Sequence, residues 1–321
     1  MSASCAEWDG PTSSRNYLVA PASHSRSLPT LRKTIKTPPT ATSALTPMKI
    51  EIIESQVIGK SLPAMCEDGI VATTDFVAVI DGSTSKAARQ MRPDMRNGRH
   101  AMMLVSQLLS QMPATVTMEE CCHLVTTAIV EAYHQNGVEK SRLVDHPEER
   151  LTASAAIFSR HHGEVWLVGD CQCLVDGVYY DNPKPEEGHI AQERSEIIRS
   201  MLAHGETDVA SLQRHDKGRD LIVQKIVRTC HDQNKSFAVF DGFCVATEKV
   251  KVVRIPSSCE VVLATDGYPF LLPTLHDSEE ALAHQLSADP LCIHHYLATK
   301  GLMEGQVSFD DRAYVRFRVI R

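Results

Sequence analysis

From residue 49 onward, apolar and polar positions alternate in short stretches, and the period of that alternation changes along the chain. Residues 49–58 partly alternate and predict a strand, and 76–80 form a brief apolar run that stops at Asp81-Gly82. Residues 98–112 carry Met102, Val105, Leu108, Leu109 and Met112 at helical spacing. A second helix is predicted from Thr117, with Glu120 completing a capping box, through to Gly137. Strands are predicted over 152–159, 164–168, 237–240, 249–255, 259–265 and 313–320. Helices are predicted over 186–204, 219–230, 278–286 and 291–300. Strands thus cluster and helices come in separate pairs. That pattern predicts an α+β fold with antiparallel sheets and helices packed outside, not a doubly wound parallel sheet.

Residues 1–47 differ in texture. They are rich in Ser, Thr and Pro, show neither period, and bury too little to offset their ordering entropy. They are expected to be a disordered tail, or sequence ahead of a start at Met48, leaving 48–321 as one domain. The 321 residues are 43% hydrophobic and 23% charged, with a net charge of −7, which argues against general affinity for nucleic acid or anionic membranes. No apolar run reaches the roughly 18 residues of a membrane span. The cysteines lack a C-x-x-C pair, so reduced thiols and a cytoplasmic protein are expected.

Chemistry concentrates at strand ends. Three apolar runs end in an aspartate beside a glycine: Asp81-Gly82, Gly169-Asp170 and Asp266-Gly267. Two further acidic pairs, Glu67-Asp68 and Asp310-Asp311, lie near other strand ends. Any one Asp-Gly is a common turn, and Asp241-Gly242 is read as one. Several carboxylates at strand mouths would repel one another unless cations were present. Oxygen donors without His or Cys select Mg²⁺ or Mn²⁺, and two such ions roughly 4 Å apart suit attack of water on phosphorus.

In order and spacing, Cys66-Glu67-Asp68, FVAVIDG at 76–82, Thr152 to Ala155, VWLVGD at 165–170, VVLATDG at 261–267 and DDRAYV at 310–315 resemble the PP2C (PPM) family of metal-dependent serine/threonine phosphatases. The resemblance covers about residues 50–321. It implies a four-layer α-β-β-α sandwich, two antiparallel sheets flanked by helix pairs, and two Mn²⁺ or Mg²⁺ ions. It implies that Asp81 bridges both ions, that the Gly82 carbonyl binds one, and that Asp266 and Asp310 hold the second. Asp81, Asp266 and Asp310 are thus the expected catalytic set. Glu67 would act through water, Asp68 and Asp170 would orient bound waters, and Thr152 would be structural. The sequence departs from the family at two points. Residues 61–65 lack the arginine that binds substrate phosphate, and Ser83 stands where a histidine often follows Asp-Gly. Lys86 or Arg89 is the expected substitute for the missing charge.

The function expected from these readings is hydrolysis of phosphoserine or phosphothreonine in a protein substrate, by a metal-activated water without a covalent intermediate. Two alternatives stay open: a catalytically inactive phosphatase-like module that binds a partner, and a structural protein with ordinary Asp-Gly turns. Oligomeric state is left open.

Overall fold

In the computed structural model, residues 48–86 and 89–321 are described; the expectation for residues 1–47 lies outside them. The strands are β1 (Lys49–Ile58), β2 (Asp68–Ala72), β3 (Phe76–Gly82), β4 (Ala153–Ser159), β5 (Glu164–Val168), β6 (Gln172–Val175), β7 (Val178–Tyr180), β8 (Lys251–Arg254), β9 (Cys259–Ala264) and β10 (Arg312–Ile320). They form two five-stranded antiparallel sheets, in the orders β1-β10-β9-β6-β7 and β2-β3-β4-β5-β8. The helices are α1 (Asn97–Gln111), α2 (Met118–Gln135), α3 (Lys140–Asp145), α4 (Glu187–Ala203), α5 (Val209–Arg214), α6 (Lys217–Thr229) and α7 (Leu275–Ala288).

The period-two rule explains the layering. Val77 and Val79 of β3 point between the sheets, with Ala156 and Phe158 of β4, and meet Val261, Leu263, Val315 and Phe317 of the other sheet. The Phe158 and Phe317 rings lie 5.1 Å apart, and each buried ring contributes on the order of 2 kcal/mol. The alternate residues Phe76, Ala78 and Ile80 face outward and are covered by Ala101, Val105, Val125 and Ile129 of α1 and α2. On the opposite sheet the outer face is covered by Tyr268, Leu271 and the start of α7. The second helix pair, α4 and α6, packs against itself and Leu291 and Ile293 rather than squarely on a sheet.

Local signals held where they were strong. Thr117 caps α2 with Glu120 in a reciprocal capping box. The expected helix over 291–300 is absent. There the Asp289 carboxylate takes the N–H groups of Ile293, His294 and His295, which a helix would need, and Cys292 adopts a positive φ. The expected strand over 237–240 is reduced to two isolated bridges, Phe237 with Gln233 and Phe240 with Ala153. The thiols of Cys121, Cys171, Cys173 and Cys259, among others, are free and buried. Among the described residues, no helix is long and apolar enough to cross a membrane.

Candidate metal and phosphate site

Asp68, Asp81 and Asp311 are the terminal members of rows that face between the sheets, and Asp170 and Asp266 each follow one residue beyond such a row. Two residues past Val79 on the same face comes Asp81, opposite Asp68 on β2 and Ser154 on β4. Two before Ala313 comes Asp311. The apolar rows therefore end in carboxylates at one mouth of the sandwich. Gly169 turns the chain after β5 at φ +84°, a conformation that favours glycine, and Asp170 follows. Ser154 Oγ then donates to Asp170 Oδ1 at 2.6 Å. One carboxylate oxygen each of Asp81, Asp170 and Asp266 lies within 4.8 Å of the others.

Glu67 and Asp68 are buried beside them. Neither oxygen of Glu67 has a hydrogen-bond partner, and Asp68 Oδ2 has none. Gly98, at the start of α1, lets this corner close. A Cβ there would stand 2.7 Å from Glu67 Oε1, 2.7 Å from Gly82 O and 2.5 Å from Ser83 O. Gly82 itself pairs with Ala153 and donates its N–H to Glu67 O at 3.0 Å.

Asp310 and Asp311 sit differently. Lys60 Nζ lies 3.0 Å from Asp310 Oδ1, 3.2 Å from Asp311 Oδ2 and 3.9 Å from Glu67 Oε2. Lys300 pairs with Asp310 Oδ2. Asp311 also accepts from the backbone N–H groups of Lys60 and Glu67. A third lysine, Lys184, pairs with Asp170 Oδ2 at 2.5 Å. Sequence reasoning missed all three lysines, because each arrives from an irregular segment without a local motif. Arg194 helps deliver Lys300. It is fully buried, pairs with Asp216, and donates to Leu291 O and Ala298 O at 2.9 Å each, tying down the loop that ends in Lys300.

These groups line one cavity of about 690 Å³. Asp81, Asp170, Asp266 and Asp310 lie on its wall with Lys86, Lys184, Lys300 and Arg219, and Tyr296 and Phe237 supply an apolar flank. Lys86 Nζ donates to Ser83 Oγ at 2.8 Å. Arg89 is exposed and is not brought to the cavity. Thr152 lines it, within 3.4 Å of Gln233 Nε2.

The chain is similar in its course to several solved structures. Over 85% of this chain and 100% of the other, it is similar to the catalytic domain of the serine/threonine protein phosphatase PstP in complex with two manganese ions, at 14% identity and a TM-score of 0.44. Over 86% and 99% it is similar to PppA, a regulatory component of the T6SS in Pseudomonas aeruginosa, at 14% identity and 0.41. Over 83% and 98% it is similar to the PPM Ser-Thr phosphatase MsPP from Mycobacterium smegmatis in complex with cacodylate, at 16% identity and 0.40. No protein-family model matches the chain, and no curated protein matches it.

Electrostatics divides the acidic residues into two groups. Burial pushes the carboxyls of Asp81, Asp68 and Asp266 well above the usual carboxylate range, and their acidic neighbours push them further. Burial acts on Asp310 too, but pairing with Lys300 and Lys60 outweighs it and holds that carboxyl below its ordinary value. Asp170 is likewise held low, against its burial, by Lys184 and the Ser154 hydroxyl. Three carboxylates facing a single ammonium leave negative charge unbalanced at Asp81, Asp170 and Asp266. With the unpartnered Oδ2 of Asp68 beside them, these oxygen donors fit one hard divalent cation. At Asp310 both oxygens are already engaged by ammonium groups, which fits a second ion poorly.

Proposed function

We propose that this chain is a PP2C-like phosphomonoester hydrolase acting on phosphoserine or phosphothreonine in a protein substrate. The observation that carries the reading is the convergence of Asp81, Asp170 and Asp266 on one cavity that also holds Lys86, an ammonium without a carboxylate partner among the described residues. A divalent cation bound there, Mn²⁺ or Mg²⁺, supplies Lewis acidity and lowers the pKa of water at the phosphoryl group.

The residues of the chain do the rest. Asp81, Asp170 and Asp266 would hold the cation, and the Gly82 carbonyl would be the further oxygen donor that the family resemblance implies. Asp68 and Glu67, buried and partly unpartnered, accept hydrogen bonds from water and orient it. Lys86 takes the part of the arginine missing at residues 61–65: its ammonium neutralises a non-bridging phosphate oxygen and holds it in place. Lys86 suits the task because burial, together with nearby Lys184, Lys300 and Arg219, lowers its pKa, so an incoming dianion relieves positive crowding. Tyr296 and Phe237 offer contact for the residues that flank a phosphorylated side chain.

The test compares p-nitrophenyl phosphate with bis(p-nitrophenyl) phosphate in the presence of Mn²⁺. Turnover of the monoester and little of the diester is the expected result. Absence of turnover on the monoester and on a panel of phosphothreonine peptides contradicts the reading and leaves the partner-binding alternative in its place.

A further inference from the structure

The two halves of the acidic mouth carry different counter-charges. Around Asp81, Asp170 and Asp266 there is one ammonium, from Lys184. Around Asp310, Asp311 and Glu67 there are two, from Lys60 and Lys300. The second pair is built in rather than laid on the surface. The Lys60 side chain is 10% exposed, and its own backbone N–H donates to Asp311 Oδ1 at 2.7 Å. Its Nζ also donates to Thr84 Oγ1 at 3.0 Å, on the loop that follows Asp81 and Gly82. Every carboxylate oxygen of Asp310 and Asp311 is taken. Asp310 Oδ1 accepts from Lys60 and the Asp311 N–H, and Oδ2 pairs with Lys300; Asp311 accepts from the Lys60 and Glu67 N–H groups and faces Lys60 Nζ.

We infer that Lys60 and Lys300 occupy the place of a second divalent cation, so that this chain binds one such ion, at Asp81, Asp170 and Asp266, where its family uses two. The inference rests on the proposed reading of those three aspartates as a cation site. A second ion beside Asp310 would have to displace two ammonium groups from a half-buried, fully hydrogen-bonded carboxylate, and both would then lie next to a dication, Lys300 without its carboxylate partner. Fixed ammoniums keep the electrostatic part of that ion's work, holding Asp310 and Asp311 in place, without offering an open coordination position. In the chain, Lys60 follows Gly59 just after β1, and Lys300 precedes Gly301 after the Arg194-anchored loop.

The test is calorimetric titration of the full chain with Mn²⁺ alone, paired with electron paramagnetic resonance of the loaded protein. One ion per chain and the spectrum of an isolated Mn²⁺ are expected. The double variant Lys60→Met/Lys300→Met is expected to take up a second ion and to give the spectrum of a coupled pair. Asp310→Asn is expected to leave the dissociation constant of the first ion within about threefold, since Asp310 is not among its donors. Two ions per wild-type chain, a double variant that still takes only one, or loss of Mn²⁺ binding in Asp310→Asn overturns the inference. If circular dichroism finds the double variant unfolded, Lys300→Met and Asp310→Asn carry the test. Two ions with phosphatase turnover intact overturns this inference alone, whereas no Mn²⁺ bound at all removes the cation site of the proposed function as well.

Discussion

Asp81 stands directly across the β2–β3 ladder from Asp68, so a half-buried and a buried carboxylate are cross-strand neighbours at the mouth of the sandwich. Like charges placed opposite one another on a sheet weaken it. In the metal-free protein this pair is therefore a local liability, and neutralising one member should strengthen the fold. Asp81→Asn in the presence of chelator is expected to stabilise by roughly 1 kcal/mol, raising Tm by about 2–4 °C in differential scanning calorimetry. Mn²⁺ should reverse the order: the wild type gains stability by binding, and the variant gains far less.

The same carboxyls set a pH dependence. Asp68, Asp81 and Asp266 have folded-state pKa values raised above the unfolded ones, so the folded state holds more protons than the unfolded state. Their favourable contribution is fully present below the ordinary carboxylate pKa, about 4, and is lost as pH rises through the raised folded values. Asp170 and Asp310 act in the opposite sense: their lowered values stabilise the fold above the ordinary carboxylate range, and that contribution disappears on acidification. Thermal melts with chelator from mildly acid to neutral pH should therefore show stability falling with pH more steeply in wild type than in Asp81→Asn. Saturating Mn²⁺ should flatten the wild-type slope. Identical slopes for the two proteins with chelator would count against the buried, uncompensated cluster.

Gly98 gives a sign test. Replacing glycine by alanine within a helix ordinarily helps by up to about 1 kcal/mol. Here the added Cβ would meet Ser83 O, Gly82 O and Glu67 Oε1 at 2.5–2.7 Å, two of them backbone atoms with little room to move. Gly98→Ala is expected to destabilise by roughly 1–3 kcal/mol in chemical denaturation and to weaken Mn²⁺ binding, because Glu67 is pushed out of its corner. A stabilised variant with unchanged Mn²⁺ affinity would contradict the described packing.

Where the sequence could be read, the reason was local. The capping box of Thr117 and Glu120 lies within a single turn, and the strands ending at Asp81, Asp170 and Asp266 announce themselves by apolar runs closed with glycine. What escaped was settled by tertiary placement. Lys60, Lys184 and Lys300 come from segments 116 or more residues apart and meet the carboxylates only once the sheets are packed. The apolar spacing over 291–300 looked helical, yet one carboxylate, Asp289, captured the N–H groups that a helix would have used. Of the two cations expected to replace the missing arginine, Lys86 reaches the cavity and Arg89 remains exposed, a distinction that three residues of sequence could not carry.

That distinction can be measured. A charge-assisted hydrogen bond of this kind is worth on the order of 1.5–3 kcal/mol, about 10–100-fold in binding. Lys86→Met is expected to raise KM for a phosphorylated peptide by that factor while Mn²⁺ affinity stays unchanged. Arg89→Ala is expected to alter neither. Steady-state kinetics on both variants, with the metal titration as control, checks the assignment; an effect of Arg89→Ala equal to that of Lys86→Met would contradict it.

On the proposed reading, Asp81, Asp170 and Asp266 hold the divalent cation with which this chain hydrolyses phosphomonoesters. The most direct measurement is phosphate release from a phosphothreonine peptide as a function of Mn²⁺ concentration, in wild type and Asp266→Asn. Turnover that rises with Mn²⁺, stops with chelator, and falls at least about a hundredfold in the folded variant is the expected result. Turnover that is indifferent to Mn²⁺, or equal in the two proteins, would contradict the account.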